Sequence, residues 1–166
     1  MEIIIDGYNL IFKSKELKSI YKKHPEKCIE HLCELLSHFG KDVKFSIIFD
    51  ESTRRPYKEL KSYVTVNGIK IYYNENADEF ILEKARNSKE RCLVVSSDIK
   101  DVYKPAKKLK CDRISSEGFL EILNKKREKI IKRTEPKSHP LPKPEIRFWL
   151  RFFSRPPQKL ANIKLG

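Results

Sequence analysis

The sequence predicts an α/β fold in which a mostly parallel sheet has helices on both of its faces. Short apolar runs alternate along the chain with longer segments whose apolar residues recur at helical spacing. Residues 3–5 and 93–95 are wholly apolar, which suits strands buried on both faces of a parallel sheet. Strands and helices in alternation are typical of such α/β proteins.

The predicted elements follow one another from the first residues to about residue 123. Strands are predicted at residues 3–5, 43–49, 69–73 and 92–96, and at residue 114. The clearest helix begins at Pro25 and ends before Gly40, because proline favours the first turn of a helix and glycine the position after its end. The other predicted helices are a short one after a loop within residues 10–21, and helices at 57–63, 77–85, 102–109 and from 115 onwards.

Acidic residues stand where several predicted strands end. Asp6 and Asp50 follow the first two strands, Asp98 follows the fourth, and Asp78 begins the helix after the third. Because parallel strands end at the same edge of a sheet, these carboxylates are expected to share one pocket. Two unit charges ~4 Å apart repel by about 4 kcal/mol at an effective dielectric constant of about 20, so such a cluster needs a cation or bound protons.

The same acids also have purely structural explanations. Asp6 and Asn9 stand where residues of their type commonly cap a following helix. Asp78 and Glu79 lie in a first helical turn, where the helix dipole alone favours acids. Only the recurrence of acids at several strand ends favours a common site.

A metal-assisted reaction on nucleic acid fits the predicted cluster. Carboxylates without histidine or thiolate among them favour Mg²⁺ or Mn²⁺. Such ions polarise phosphoryl oxygens and activate water, and Asp78 or Asp98 could act as the base that orients this water. The basic residues expected around the rim would hold a phosphate backbone without reading its sequence; they are Arg54, Arg55, Lys100 and Lys104.

Composition narrows the class of protein and its partners. The 166 residues are 39% hydrophobic and 36% charged, which indicates a globular protein. No apolar run approaches the roughly 20 residues of a membrane helix, and no secretory signal is evident, so a cytoplasmic location is expected. The net charge of +13 favours a polyanionic partner.

The four cysteines predict no zinc site. No Cys-x-x-Cys pair occurs, and Cys28 and Cys33 lie five residues apart on a predicted helix. Reduced, mostly buried thiols are expected at these two positions and at Cys92 and Cys111.

Other enzymes with acidic clusters fit the sequence less well. A phosphatase with an aspartyl nucleophile usually carries a second acid two residues after the first, where this chain has Tyr8. A dinucleotide-binding fold requires a glycine-rich turn after its first strand, and Gly7 has no companions there. A phosphate-binding P-loop is also absent from the sequence.

Five segments, in order, resemble the NYN domain of the YacP type, a group of the PIN-like nuclease superfamily. They are Asp6-Gly7-Tyr8-Asn9, Phe49-Asp50, Ala77-Asp78-Glu79, Ser96-Ser97-Asp98 and Ile114-Ser115-Ser116 with Phe119-Leu120. The resemblance covers roughly residues 1 to 125. It implies a PIN-like three-layer α/β/α sandwich, a divalent-metal centre and endoribonuclease activity, with messenger RNA at the ribosome as an expected target.

The resemblance also implies roles for individual residues. Asp6, Asp78 and Asp98 match the acidic catalytic and metal-binding positions, and Asp50 and Asp101 are further candidate ligands. Three other residues are expected to line the pocket: Asn9, Glu79 and Ser97. The segment from residue 51 to residue 68 departs from the pattern of the family, so the choice of substrate transfers least well.

The C-terminal part of the chain differs in composition from the rest. A nuclease domain over residues 1–131, a proline-rich linker over 132–145 and a basic aromatic extension over 146–166 are predicted. Residues 132–166 carry nine Lys/Arg and two acids, a net charge of +7. The extension either folds back onto the domain, which is the favoured interpretation, or contacts RNA through Arg147, Trp149 and Arg151.

Two functions therefore remain open at the level of sequence. The favoured one is a divalent-metal-dependent endoribonuclease. The alternative is a non-catalytic RNA- or ribosome-binding protein that keeps the PIN-like fold, since basic charge and fold can persist without chemistry. The presence of every expected carboxylate argues against the alternative.

Overall fold

A computed structural model describes residues 1–51, 63–109, 111–131 and 144–154. Its centre is a six-stranded sheet with strand order β3-β4-β2-β1-β5-β6. Neighbouring strands run parallel, except that β3 is antiparallel to β4. The strands are β1 (Glu2–Asp6), β2 (Lys44–Asp50), β3 (Val64–Val66), β4 (Ile69–Asn74), β5 (Cys92–Val95) and β6 (Asp112–Ile114). The predicted α/β class with a mostly parallel sheet is confirmed.

Helices cover both faces of this sheet. They are α1 (Gly7–Lys13), α2 (Lys15–Lys23), α3 (Pro25–Ser37), α4 (Ala77–Asn87), α5 (Lys104–Ala106), α6 (Ser116–Ile131) and α7 (Pro144–Ser154), with a π-helical turn at Ile99–Tyr103. Within the described ranges, none of the helices has the length and apolar character needed to cross a membrane.

Alternation along the strands divides the core into two layers. Ile3 and Ile5 pack with buried residues of α1, α2, α3, α6 and α7 on one face. Ile4, on the opposite face, packs with Ile81 of α4 and with Val102. Successive side chains of a strand point to opposite faces, so the wholly apolar run of β1 supplies both layers. The result is the expected α/β/α sandwich.

Helix α1 begins directly at the end of β1, where the sequence predicted a loop. A Cβ atom at Gly7 would lie 2.3 Å from a ring carbon of Phe49 on β2. Only glycine therefore allows the chain to turn into a helix against the sheet at this point. The region predicted as a loop and one short helix accordingly forms two consecutive helices, α1 and α2.

A hairpin between β3 and β4 was not predicted. Asn67 and Gly68 join the two strands with φ angles of 51° and 79°. Two successive residues with positive φ are typical of the tight hairpin turns that favour Asn-Gly. The helix predicted over 57–63 lies, apart from its last residue, outside the described residues.

The helix predicted over 102–109 is replaced by the π-helical turn and the short helix α5. The backbone N–H of Tyr103 donates to the carbonyl oxygen of Asp98, five residues back, at 2.7 Å. Pro105 lacks the N–H that would donate to the carbonyl of residue 101 in a regular α-helix. A regular α-helix through Pro105 would therefore lack one of its hydrogen bonds.

The prediction of four reduced cysteines is wrong for two of them. A disulfide joins Cys92 to Cys111, whose Cα atoms are 5.1 Å apart. Cys92 begins β5 and Cys111 precedes β6, and the parallel pairing of Leu93 with Asp112 brings the two cysteines side by side. Cys28 and Cys33 are free and buried, as expected.

Helix α7 packs against the domain at the amino ends of the strands. The guanidinium of Arg91, which directly precedes β5, lies 5.4 Å from the ring centroids of both Trp149 and Phe152. Phe153 contacts Phe39, and the Nζ of Lys126 on α6 donates to the carbonyl oxygen of Phe153. Part of the predicted extension thus folds back onto the domain. The linker (132–145) lies mainly outside the described residues, so the domain division stays a prediction.

Candidate metal centre

The acids predicted to converge lie at or just beyond the carboxyl ends of the parallel strands, which form what is called here the carboxyl edge of the sheet. β1, β2 and β5 are parallel neighbours, and Asp6 and Asp50 are the last residues of the first two. Asp98 follows β5 by three residues, and Asp78 is the second residue of α4, which begins three residues after β4. This edge is the one at which α/β proteins commonly bind ligands.

Three of these acids could hold a cation together. Asp78, Asp98 and Asp101 each offer a carboxylate oxygen, and these oxygens all lie within 4.8 Å of one another. Asp98 is held by its own loop, since its Oδ1 accepts hydrogen bonds from the backbone N–H groups of Lys100 (3.1 Å) and Asp101 (2.9 Å). Asp101 is exposed and the other two are half-buried, so the group is open to solvent.

The electrostatics around Asp78 agree with a crowded negative site. Burial raises the pKa of the Asp78 carboxyl, and repulsion from Asp98, Asp101 and Asp50 raises this pKa further. Asp50 therefore acts on the group through space, although it is not one of the three residues whose oxygens meet. Its role as a metal ligand stays a prediction.

Both carboxylate oxygens of Asp6 accept hydrogen bonds from the protein, and the role of Asp6 as a catalytic residue and metal ligand stays a prediction. Its Oδ1 accepts from the backbone N–H of Asn9 at 3.2 Å, which caps α1, and its Oδ2 accepts from the Oγ of Ser96 at 3.0 Å. Burial raises the pKa of Asp6 from 3.8 to about 6, against the lowering effect of these two bonds, and Asp78 and Asp98 add repulsion. Asp6 therefore caps helix α1, as the structural explanation predicted. Its pKa is also raised by the negative charges of Asp78 and Asp98.

Asn9 connects three segments beneath the acidic group. Its Oδ1 accepts from the backbone N–H of Ser97 at 3.0 Å and from the Oγ of Ser116 at 2.8 Å. The Oγ of Ser97 in turn accepts from the backbone N–H of Ser116 at 2.9 Å. α1, the loop after β5 and the start of α6 are therefore fixed relative to one another, and this loop carries Asp98.

Sequence reasoning did not identify Lys13 and Glu117 as parts of this network. The Nζ of Lys13, at the end of α1, lies 2.9 Å from the Oε1 of Glu117 on α6. The Oγ of Ser97 donates to the other carboxylate oxygen of Glu117. The four-residue spacing of Asn9 and Lys13, which places them on one face of a helix, was the available signal.

Of the remaining predicted site residues, Glu79 directly follows Asp78 and Lys100 follows Asp98 by two residues. Glu79 is exposed and accepts from the Nδ2 of Asn76 at 2.7 Å, within its own helix turn. Lys100 is exposed on the turn after Asp98 and Lys104 is exposed at the start of α5, whereas Arg54 and Arg55 lie outside the described residues.

The predicted RNA contacts on α7 are not near the acids. Arg147 and Arg151 are exposed, but α7 packs at the opposite edge of the sheet. Trp149 is only 3% exposed and belongs to the core. The alternative interpretation, in which Trp149 contacts RNA, does not fit this structure, because the indole is buried and anchors α7.

The donor set suits a hard divalent cation. Three carboxylates, at least one of them exposed, offer oxygen ligands and leave room for water and a substrate. No histidine or cysteine belongs to the group, which disfavours zinc. The residues present therefore fit Mg²⁺ or Mn²⁺.

The chain belongs to the family of YacP-like NYN domains. The profile of this family matches residues 3–148, and so extends beyond the predicted end of the domain at residue 131 into α7. Membership confirms the resemblance and supports a nuclease-type, RNA-related function.

Two solved structures show the same fold. One is Rae1 (YacP) from Bacillus subtilis, with a TM-score of 0.65, 18% identity and coverage of 80% of this chain and 79% of that one. A tryptophan-to-leucine variant of that protein has a TM-score of 0.61 at 18% identity, with 80% of both chains covered. A search of curated proteins gave no significant match.

Proposed function

We propose that this protein is a divalent-metal-dependent endoribonuclease that hydrolyses phosphodiester bonds of RNA. The observation that carries the proposal is the group formed by Asp78, Asp98 and Asp101 at the carboxyl edge of the sheet. Its position agrees with the edge at which α/β enzymes place their chemistry. Asp78 and Asp98 are among the acids that the resemblance to the NYN domain implies, and the chain belongs to that family.

The three carboxylates of the group would have different roles in the reaction. A bound Mg²⁺ or Mn²⁺ would supply Lewis-acid polarisation of the scissile phosphate. Asp98, fixed by two backbone N–H groups, would hold the cation, and Asp101 would complete the binding from the exposed side. Asp78 is the better candidate for the base, because burial and repulsion raise its pKa and strengthen its affinity for a proton.

Exposed cations beside the group would bind the substrate. Lys100 lies on the turn that follows Asp98 and Lys104 begins α5, and both would contact phosphates without reading base sequence. Arg54 and Arg55 stay proposed contacts of the same kind. The setting that the family resemblance implies is messenger RNA at the ribosome, which would place the activity in the cytoplasm.

A cleavage assay tests the proposal. Labelled RNA is incubated with the protein and Mg²⁺ or Mn²⁺, and a parallel reaction contains EDTA. Cutting is expected only with the metal, and Asp98→Asn is expected to lower the rate by at least about 100-fold, because it removes a ligand of the cation. RNA binding by this variant should be retained, since the change removes a negative charge.

A matched control separates the site from general loss of charge. Asp42→Asn makes the same chemical change at an exposed residue just before β2, at the opposite edge. This variant should cut RNA like the unmodified protein. Metal-independent cutting that survives Asp98→Asn would refute the proposed site, and RNA binding without cutting in any metal, free or on ribosomes, would favour the non-catalytic alternative.

A further inference from the structure

An aromatic surface on α1 and α2 is unexplained by the acidic group. Phe12 is 46% exposed, which is unusual for a phenylalanine in a helix that packs on a core. Its ring is stacked with that of Tyr8 at 6.0 Å between centroids and an interplanar angle of 21°. Tyr21 packs edge-on against both rings, and its hydroxyl donates to that of Tyr8 at 3.3 Å. We call these three residues the aromatic platform.

The platform is rigidly connected to the sheet edge that carries the acids. Tyr8 packs against Phe49 with 4.8 Å between centroids, and Phe49 directly precedes Asp50. Tyr8 and Phe12 share one face of α1, whereas Asn9 and Lys13 share another that contacts the loop before Asp98. Helix α1 thus holds the platform on one side and the loop that carries Asp98 on the other.

The surroundings of the platform are basic. α2 contains four lysines and one acid, and the lysines are exposed. The acid is Glu16, and the Nη1 of Arg127 donates to both of its carboxylate oxygens at 3.0 Å. Lys18 lies three residues before Tyr21 and so shares its face of α2. Exposed rings among lysines suit a strand of nucleotides, since bases stack on rings while lysines bind phosphates.

A second exposed apolar side chain, Ile99, stands next to one of the acids in the chain. Ile99 directly follows Asp98 and is 61% exposed. Phe12, on the helix that follows Asp6, and Ile99, next to Asp98, are both exposed apolar side chains. A duplex offers phosphates and groove edges to a protein, whereas an unpaired strand also offers the faces of its bases. Exposed apolar side chains such as these favour the second kind of ligand.

We propose that the aromatic platform stacks on a base of unpaired RNA and so makes this protein selective for single-stranded segments. The proposal rests on the endoribonuclease function for its ligand and adds the class of substrate and the residue that selects it. Phe12 supplies the accessible ring, and Tyr8 and Tyr21 hold it in place. The lysines of α2 bind the neighbouring phosphates.

Equilibrium binding without metal tests this directly. A short labelled RNA strand, and the same strand annealed to its complement, are titrated with protein in EDTA, so that cutting does not interfere. Phe12→Leu keeps an apolar side chain but removes the ring. It is expected to weaken binding of the single strand by about 5-fold or more, in line with the contribution of one stacked base, and to leave duplex binding unchanged. Phe12→Trp is expected to restore single-strand binding.

Phe148→Leu serves as the matched control. Phe148 is a similarly exposed phenylalanine, at 40%, on α7 at the opposite edge of the sheet. Its loss should leave binding of both RNAs unchanged. Unaltered single-strand binding by Phe12→Leu, or equal losses for strand and duplex, would overturn the platform. Because binding is measured without metal, absence of cutting would count against the endoribonuclease proposal alone.

Discussion

Replacing Asp6 by asparagine is expected to stabilise the metal-free protein at neutral pH. The carboxyl has a pKa of about 6 in the folded protein, against an ordinary value of 3.8. The folded state therefore holds this proton more tightly than the unfolded state does, and stability falls as the pH rises from about 4 to about 6. A difference of roughly two pKa units corresponds to about 3 kcal/mol, which is fully lost above the folded pKa.

Asparagine is neutral throughout this range, so it avoids the loss. It keeps one carbonyl oxygen for the N–H of Asn9 or the Oγ of Ser96, and weakening of the other bond costs about 1 kcal/mol. Near neutral pH, Asp6→Asn should thus raise the free energy of unfolding by about 2 kcal/mol. At about pH 4 it should leave this free energy equal or slightly lower.

Urea unfolding in EDTA at both pH values measures the effect. Trp149 is the only tryptophan of the chain and is buried, so its fluorescence reports the transition, with circular dichroism as a second probe. Excess Mg²⁺ should then stabilise the unmodified protein more than the variant, since the variant carries less negative charge. If Asp6→Asn changes the free energy of unfolding by the same amount at both pH values, the raised pKa of Asp6 is refuted as the cause.

Three further outcomes follow from the fold and the site. Gly7→Ala should lower the free energy of unfolding by about 1–3 kcal/mol, because its Cβ would lie 2.3 Å from the ring of Phe49; an unchanged thermal midpoint would contradict this. Asn9→Ala should cost roughly 1–3 kcal/mol in urea unfolding, since two serine donors lose their acceptor, and it should also slow RNA cleavage. Reduction of the disulfide between Cys92 and Cys111 should cost about 3 kcal/mol, and titration of the unreduced, unfolded chain should find two free thiols, not four.

The edge that carries the acids was predictable because it depends on strand direction alone. Once residues 3–5 and 43–49 are assigned to parallel strands, Asp6 and Asp50 must follow them at the same end. What the sequence could not supply is the hydrogen bonding of each carboxylate. Asp6 is occupied by Ser96, ninety residues away, and this partner depends on the pairing of β1 with β5.

The disulfide and α7 were hidden for the same kind of reason. Cys92 and Cys111 meet only because β5 and β6 pair in one particular register. The aromatic extension has the composition of an RNA-binding tail. Only the tertiary structure shows that Trp149 is buried and packs against Arg91. The Asn-Gly pair at residues 67–68, in contrast, is a hairpin signal that the sequence itself contains.

The position of α7 gives a practical handle on the protein. Arg151 is solvent-exposed on the far side of the sheet from the acids, and the two free cysteines of the described chain are buried. A thiol introduced by Arg151→Cys would therefore offer a selective attachment point for a dye or a sensor chip. Molecules coupled there would sit on the surface with their carboxylate-bearing rim turned towards the bulk solution, accessible to incoming polynucleotides.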